Sequence, residues 1–390
     1  MSSATDVRRA VGDWADTKRR IAGLAVLAAV VLWALVGVVL PSSAVGGAFW
    51  WTLGLTADAV RIGTRESTIR AALRLSVPIG FAALGGIFAE KSGVINIGLE
   101  GLLIISAFTG VLVTDLLGPG TGWLLVPAIG PLPAIAMPSI WIGFLAAVLA
   151  STLLALLFAV VCIEFRADQI IAGLAVWLIA LGLAPFASRV VYGTVNSDGV
   201  GTLGTWTVPG LSALPVVGPI LFQAAPTVLM LLVAVPASWY LLNRTTFGRW
   251  VRASGENPKA LDTAGVSVHR VRYAGVLLSG VLSGIGGAGL SLGHVGLFIG
   301  NGQTMVNGKG FIAITAYLFG NYNPFGAFGA SVLFAGLDAL QIRLQQLPAY
   351  DIPESLVQTI PFVTVIVALV LVGRTRLPAA AGEHYESGEE

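Results

Sequence analysis

The sequence predicts an all-α fold, a polytopic transmembrane bundle of about ten spans with broken or re-entrant helices. Three observations lead there. The chain of 390 residues is 56% hydrophobic and 11% charged, against roughly 25% charged in a soluble domain. No soluble fold of this size hides that much apolar surface. The charges are also clustered, with none in 116–163, 199–243 or 273–308. Each of those runs exceeds the ~20 apolar residues that cross a bilayer as a helix. Finally, Gly and Pro cut the runs into pieces of spanning length.

Taken in order, residues 1–20 form a basic tail with Arg8, Arg9, Lys18, Arg19 and Arg20. The uncharged stretch 21–40 follows at once. It is too long for a signal-peptide core, so it reads as a permanent span entered from the cytoplasm. Residues 44–60 make a short, weak span. The stretch 61–74 carries Arg61, Arg65, Arg70 and Arg74 and reads as cytoplasmic. In that case 44–60 must cross, and 75–88 running into 98–117 crosses once overall. The alternative leaves 44–60 at the outer surface and makes 75–88 and 98–117 two separate spans. Further spans are expected at 139–163, 169–188, 225–243, 273–296, 309–322 (short), 324–345 and 355–373.

Orientation follows from Lys and Arg. The loop 244–272 holds Arg244, Arg249, Arg252, Lys259, Arg270 and Arg272, the densest basic cluster after the N-tail, and should face the cytoplasm. Arg374 and Arg376 place the C-terminus there too, so both termini are expected inside a cytoplasmic membrane. The Pro/Gly-rich segments 118–138 and 193–224 belong outside. Residues 376–390 read as an acidic tail, with its last stretch, "GEHYESGEE" (382–390), a solvated end.

Little points to catalysis. One cysteine, Cys162, excludes an intramolecular disulfide and a Cys-based metal site. His269, His294 and His384 are scattered, and no nucleophile–base set or metal cluster stands out, so no catalytic residue, cofactor or metal ligand is assigned. Gly85, Lys91 and Ser92 mimic part of a P-loop, but Glu90 occupies the position of the glycine that must precede the lysine. A carboxylate there repels phosphate. The stretch from Gly302 fails as well, with five residues between its glycines and Gly310 in place of the hydroxyl residue.

What remains of 85–101 is a broken helix. Gly85 and Gly86 end one apolar run, and Glu90, Lys91, Ser92, Gly93, Asn96 and Glu100 precede the next. Unwound backbone at membrane depth must be buried in protein or line a cavity, and ionisable groups there are functional by default. Asn96 and Glu100 share a face if a helix starts near Asn96, or Asn96 caps that helix. The plain alternative is a Glu90–Lys91 pair with the rest as capping. In the basic loop, Asn257 suits an N-cap, Pro258 the first helical position and Gly265 the stop. A two-turn helix is marginal in water, so this one is expected to dock on something. Residues 297–324, with Gln303, Asn307, Lys309, Asn321 and Asn323 around a short apolar segment, suit a half-helix.

Three stretches in register, "FAEKSGVINIGLEGLLIISAF", "SGENPKALDTAGVSVHRVRYAGVLLSGVLSGIGGAGL" and "GKGFIAITAYLFGNYNPFGAFGASVLFAGLDALQ", resemble permease subunits of bacterial ABC importers. The type is that of branched-chain amino acids and simple sugars, closest to the nucleoside-importing branch. The resemblance covers roughly 65–375, placing a permease domain at 61–375 and leaving 21–60 outside it. It implies a coupling helix carrying Glu256, Asn257, Asp262 and Gly265, seated on a separate ABC ATPase that binds ATP-Mg. It also implies a second homologous permease subunit in a heterodimer, an extracytoplasmic substrate-binding lipoprotein, alternating access, and no nucleic-acid partner. The solute contacts expected under it are Ser92, Asn96, Glu100, Asn307 and Phe311. The competing readings are a permease for simple sugars or branched-chain amino acids, and a secondary transporter without an ATPase.

Overall fold

The computed structural model describes residues 57–58, 60–126, 135–215, 217–345 and 376–385. The chain forms two compact units, Met1–Thr64 and Arg65–Glu390. In the first, 57–58 and 60–63 are helical, and Arg61 Nη2 lies 2.9 Å from Asp58 Oδ1. The expected spans 21–40 and 355–373, and nearly all of 44–60, lie outside the described residues.

Among the described residues of the second unit, seven helices are long and apolar enough to cross a membrane. They are α1 (Glu66–Lys91), α2 (Leu99–Leu116), α3 (Ser139–Ala159, prolonged by a wider turn to Glu164), α4 (Gln169–Tyr192), α6 (Pro226–Arg244), α9 (Val268–Leu290, prolonged likewise to Val295) and α11 (Pro324–Gln345). Shorter helices are α5 (Val217–Leu221), α7 (Thr246–Glu256), α8 (Pro258–Thr263) and α10 (Lys309–Phe319). Two antiparallel ribbons complete the unit. One pairs β1 (Gly122–Val126) with β2 (Ile135–Pro138), and the other pairs β3 (Trp206–Thr207) with β4 (Gln223–Ala224). They fall in the Pro/Gly-rich connections that break up the apolar runs.

Two expectations change. The stretches 75–88 and 98–117 form separate helices, each long enough to cross. The part of the arginine-rich stretch within this unit, 65–74, also does not share a face with 244–272. Arg70 and Arg74 border a cavity with Thr202, Gly204, Thr205, Gln223 and His294. At the other end of α1, Lys91 meets Arg249, Arg252 and Glu256. One continuous helix runs between the two groups, and counting Lys and Arg could not show it. Arg70 is offset within its own helix by Glu66, four residues earlier.

Helix α9 is the axis of the bundle, packed on α1, α2 and α3. Its sequence explains this, because small residues let backbones approach closely where lipid offers no hydrophobic drive to association. A Cβ at Gly287 would stand 2.4 Å from the Leu103 carbonyl oxygen. Serines add interhelical bonds, Ser106 Oγ donating to Gly284 O (2.5 Å) and Ser151 Oγ to Gly280 O (2.8 Å). Helix α4 is held on α2 by one stripe, Ala172, Gly173, Val176, Ala180, Ala184 and Ser188. Its other faces, with Ile171, Leu178 and Phe186, are exposed and apolar, as suits a lipid-facing surface.

Candidate functional site

The break between α1 and α2 is short and buried. Helix α1 stops after Lys91, Gly93 turns the chain with φ +99°, and α2 begins at Leu99. The return is steep: the Asn96 amide donates to Ser279 Oγ (3.1 Å), the same residue that a Cβ on Gly85 would meet. Asn96 thus lies level with a point well inside α1, so the break dips back into the bundle. Asn96 Oδ1 accepts from the Gly98 amide, 3.0 Å away. This is a local turn bond, and Gly98 holds the N-cap position of α2 without a side-chain cap.

The other interrupted element faces it. Thr304, Asn307 and Gly308 all have positive φ, and they deliver the chain to α10. Eleven residues rise about 16 Å, half of the ~30 Å hydrocarbon core, as expected of a half-helix. Its N-terminus is closed by Glu100. Oε1 accepts from the Gly308 amide (2.7 Å) and Oε2 from the Gly310 amide (2.6 Å). A carboxylate at unpaired helix-start amides is favoured by both hydrogen bonding and the helix dipole. Glu100 is 1% exposed. The Lys309 ammonium lies close enough to act on Glu100, His294 and Asp338, and Asp338 carried no signal in the sequence reading.

A second carboxylate ties the same elements at the far end of α10. Glu90 accepts from the Tyr317 and Tyr322 hydroxyls, each at 2.5 Å. Lys91 does not pair with it, contrary to the plain sequence alternative. Its Nζ sits 5.3 Å from the centre of the Tyr322 ring. Burial, and then the Glu90 carboxylate, push the Tyr322 hydroxyl above its usual range, so it remains a donor. Both tyrosines stood in the sequence unremarked.

The structure therefore brings Glu100 and the start of α10 together and leaves the other expected residues in varied places. Ser92 is fully buried, its Oγ donating to Ala89 O (2.6 Å) and its carbonyl accepting from Ser254 Oγ (2.7 Å) on α7. Asn307 is exposed. Phe311 is half-buried, its ring edge-on to Trp177 at 5.1 Å.

In the loop 244–272 the two-turn helix forms as α8. The Asn257 side chain accepts from the Ala260 amide at 3.1 Å, and Gly265 takes φ +79°. Glu256, Asn257 and Gly265 are exposed, and half-buried Asp262 accepts from the Tyr385 hydroxyl at 2.9 Å. The loop also holds α7, capped by Thr245, whose side chain accepts from the Gly248 amide. That helix was not expected.

Residues 376–385 are packed on the unit through backbone and side-chain bonds, and Ala380 is 4% exposed. Within the stretch read as solvated, 382–390, Glu383 and His384 are exposed and Gly382 and Tyr385 half-buried, while 386–390 lie outside the described residues.

Helices of spanning length around two interlocked interrupted elements, with two short helices in a basic loop, describe a multi-pass membrane permease. Residues 68–369 match the family described as branched-chain amino acid transport system / permease component, and the chain belongs to it. It is 38% identical over 325 residues to the guanosine ABC transporter permease protein NupQ of Bacillus subtilis, covering 82% of this chain and 97% of that one. It is 37% identical over 330 residues to the nucleoside ABC transporter permease protein NupC of Lactococcus lactis, covering 83% and 98%. A putative glucose ABC transporter permease protein of Haloferax volcanii is 32% identical over 288 residues, covering 73% and 78%. No solved structure matches.

Proposed function

We propose that this chain is a permease subunit of an ATP-driven nucleoside importer in the bacterial cytoplasmic membrane. It would work by alternating access, paired with a second homologous permease and served by a separate ABC ATPase and an extracytoplasmic binding lipoprotein. The observation that carries the mechanism is the chain of contacts from α7 through the break to α10. Ser254 holds the backbone of Ser92, and Glu100 of the same interrupted region holds the N-terminus of the half-helix. A push on the α7–α8 face therefore reaches the interrupted elements directly. Glu256, Asn257, Asp262 and Gly265 on that face are the groups for docking the ATPase, which binds ATP-Mg, and the face is then cytoplasmic along with both termini.

Nucleosides as the solute rest on the two relatives matched over nearly their whole length. The Phe311–Trp177 pair suits a base, because an aromatic ring stacks on any nucleobase, and Asn307 offers both a donor and an acceptor. Ser92, Asn96 and Glu100 are occupied by protein partners in this conformation. Glu100 meets solute only when α10 withdraws and frees its oxygens, and Ser92 and Asn96 only when Ala89 and Ser279 release their side chains. The second reading, a sugar permease, is favoured by the Haloferax relative.

Uptake of radiolabelled guanosine in a strain deleted for this gene tests the proposal. Re-expression restores uptake, unlabelled nucleosides compete, and Phe311→Ala lowers it roughly tenfold at equal membrane abundance, the scale of one lost base–aromatic stack. Competition by glucose or leucine as strong as by nucleosides would move the solute class. Uptake that survives ATP depletion while ion gradients persist would remove the ATPase.

A further inference from the structure

Residues 376–385 touch nearly every part that a coupled movement would have to use. The Arg376 amide donates to Asn321 Oδ1 (3.3 Å) in the turn between α10 and α11. The Ala380 amide donates to Gly255 O (2.8 Å) at the end of α7, and the Gly382 amide to Gly93 O (3.0 Å) at the break. Arg272 on α9 donates to Glu383 O (2.7 Å), and His269 Nε2 lies 3.1 Å from Tyr385 O. The Tyr385 hydroxyl then reaches Asp262 on α8. Gly382 takes φ +83°, which turns the strand of chain so that its amide meets Gly93.

Helix α8 has six residues, too few to transmit force as a rigid body on its own. Helix α7 reaches the break directly through Ser254, and α8 is joined to the tail where Asp262 accepts from the Tyr385 hydroxyl. We propose that 376–385 is a positioning strap that fixes α8 to the Gly93 break and the Asn321 turn, so that displacement of α8 is delivered to both interrupted elements at once. The inference rests on reading α8 as the ATPase-docking helix.

The test uses the complete transporter, with its ATPase, second permease and binding protein, in proteoliposomes, and reads ATP hydrolysed per radiolabelled guanosine moved. Three chains are compared with the full-length one: Tyr385→Phe, a chain ending at residue 385, and a chain ending at residue 375. The chain ending at 385 should keep the full-length ratio. Tyr385→Phe should raise the ratio about fivefold, the scale of one lost hydrogen bond, with ATP turnover retained. The chain ending at 375 should raise it further. If that chain fails to assemble, the cycle of Tyr385→Phe, Asp262→Ala and the double variant decides. Acting through one bond, the double should be no worse than the worse single. An unchanged ratio in Tyr385→Phe, or in the cycle a double variant whose effect is the sum of two non-zero single effects, overturns the strap and leaves the docking helix standing. A wild-type complex that moves guanosine without hydrolysing ATP overturns both.

Discussion

Helices α1 and α4 have similar lengths, 26 and 24 residues, and opposite surroundings. Through its most apolar stretch α1 is 83% buried and α4 only 22%, although α4 is the more apolar of the two. In water that ranking would be perverse. In a bilayer it is expected, since lipid tails solvate Leu and Ile as well as a protein core does, and the interior is instead won by small and polar residues that pack or bond to one another. Helix α1 therefore carries Ser76, Gly80, Gly85, Gly86 and Glu90 on its buried surface. Helix α4 turns leucines, isoleucines and a phenylalanine outward and keeps one small-residue stripe for α2. Hydropathy marks what crosses; departures from it mark what lies inside.

The largest test of that contrast is steric. Gly287→Leu on α9, which shares the interior with α1, puts a side chain against the Leu103 carbonyl. It should cost about 3 kcal/mol or more, read as loss of the monodisperse peak and a lower melting temperature in detergent. Wild-type behaviour would mean that α9 is not the tightly packed axis. Next in size is Glu100→Ala, which strands the Gly308 and Gly310 amides in a buried site at about 2 kcal/mol. Guanosine uptake should fall with it at matched abundance, and Glu100→Gln, which keeps one acceptor oxygen, should fall less. Unimpaired uptake in the alanine variant would break the link between the two interrupted elements. The smallest effect belongs to the outer face. Leu178→Ala on α4 should change stability by less than about 0.5 kcal/mol. A loss of the co-purifying second permease in that variant would sharpen the picture, showing that this face meets protein.

How much of this could be read beforehand depended on sequence distance. The α8 cap was legible because Asn257 and the amide it receives are three residues apart. The half-helix at α10 was legible from its length and its flanking Asn and Gly residues. Glu100 was singled out, but its partners stand 208 and 210 positions away. Local spacing could offer it only its own helix dipole. Glu90 fared likewise, with Tyr317 and Tyr322 too distant to suggest themselves over adjacent Lys91. Helix α7 was missed because, of its buried positions Gly248, Val251, Ser254 and Gly255, only Val251 has a sizeable apolar side chain. The bonds that hold the tail escaped notice for a different reason. Composition reports side chains, whereas 376–385 is held in good part by main-chain amides.

The length of α1 has one more consequence. Its 26 residues make a rod of about 39 Å, some 9 Å longer than the ~30 Å hydrocarbon layer. The excess must be absorbed by tilt or by standing among the lipid headgroups. The first turns, with Glu66, Arg70 and Arg74, are chemically suited to the second course. The Arg70–Arg74 cavity then opens at the depth of the phosphates, and bilayer thickness becomes a variable that the rest of the bundle feels.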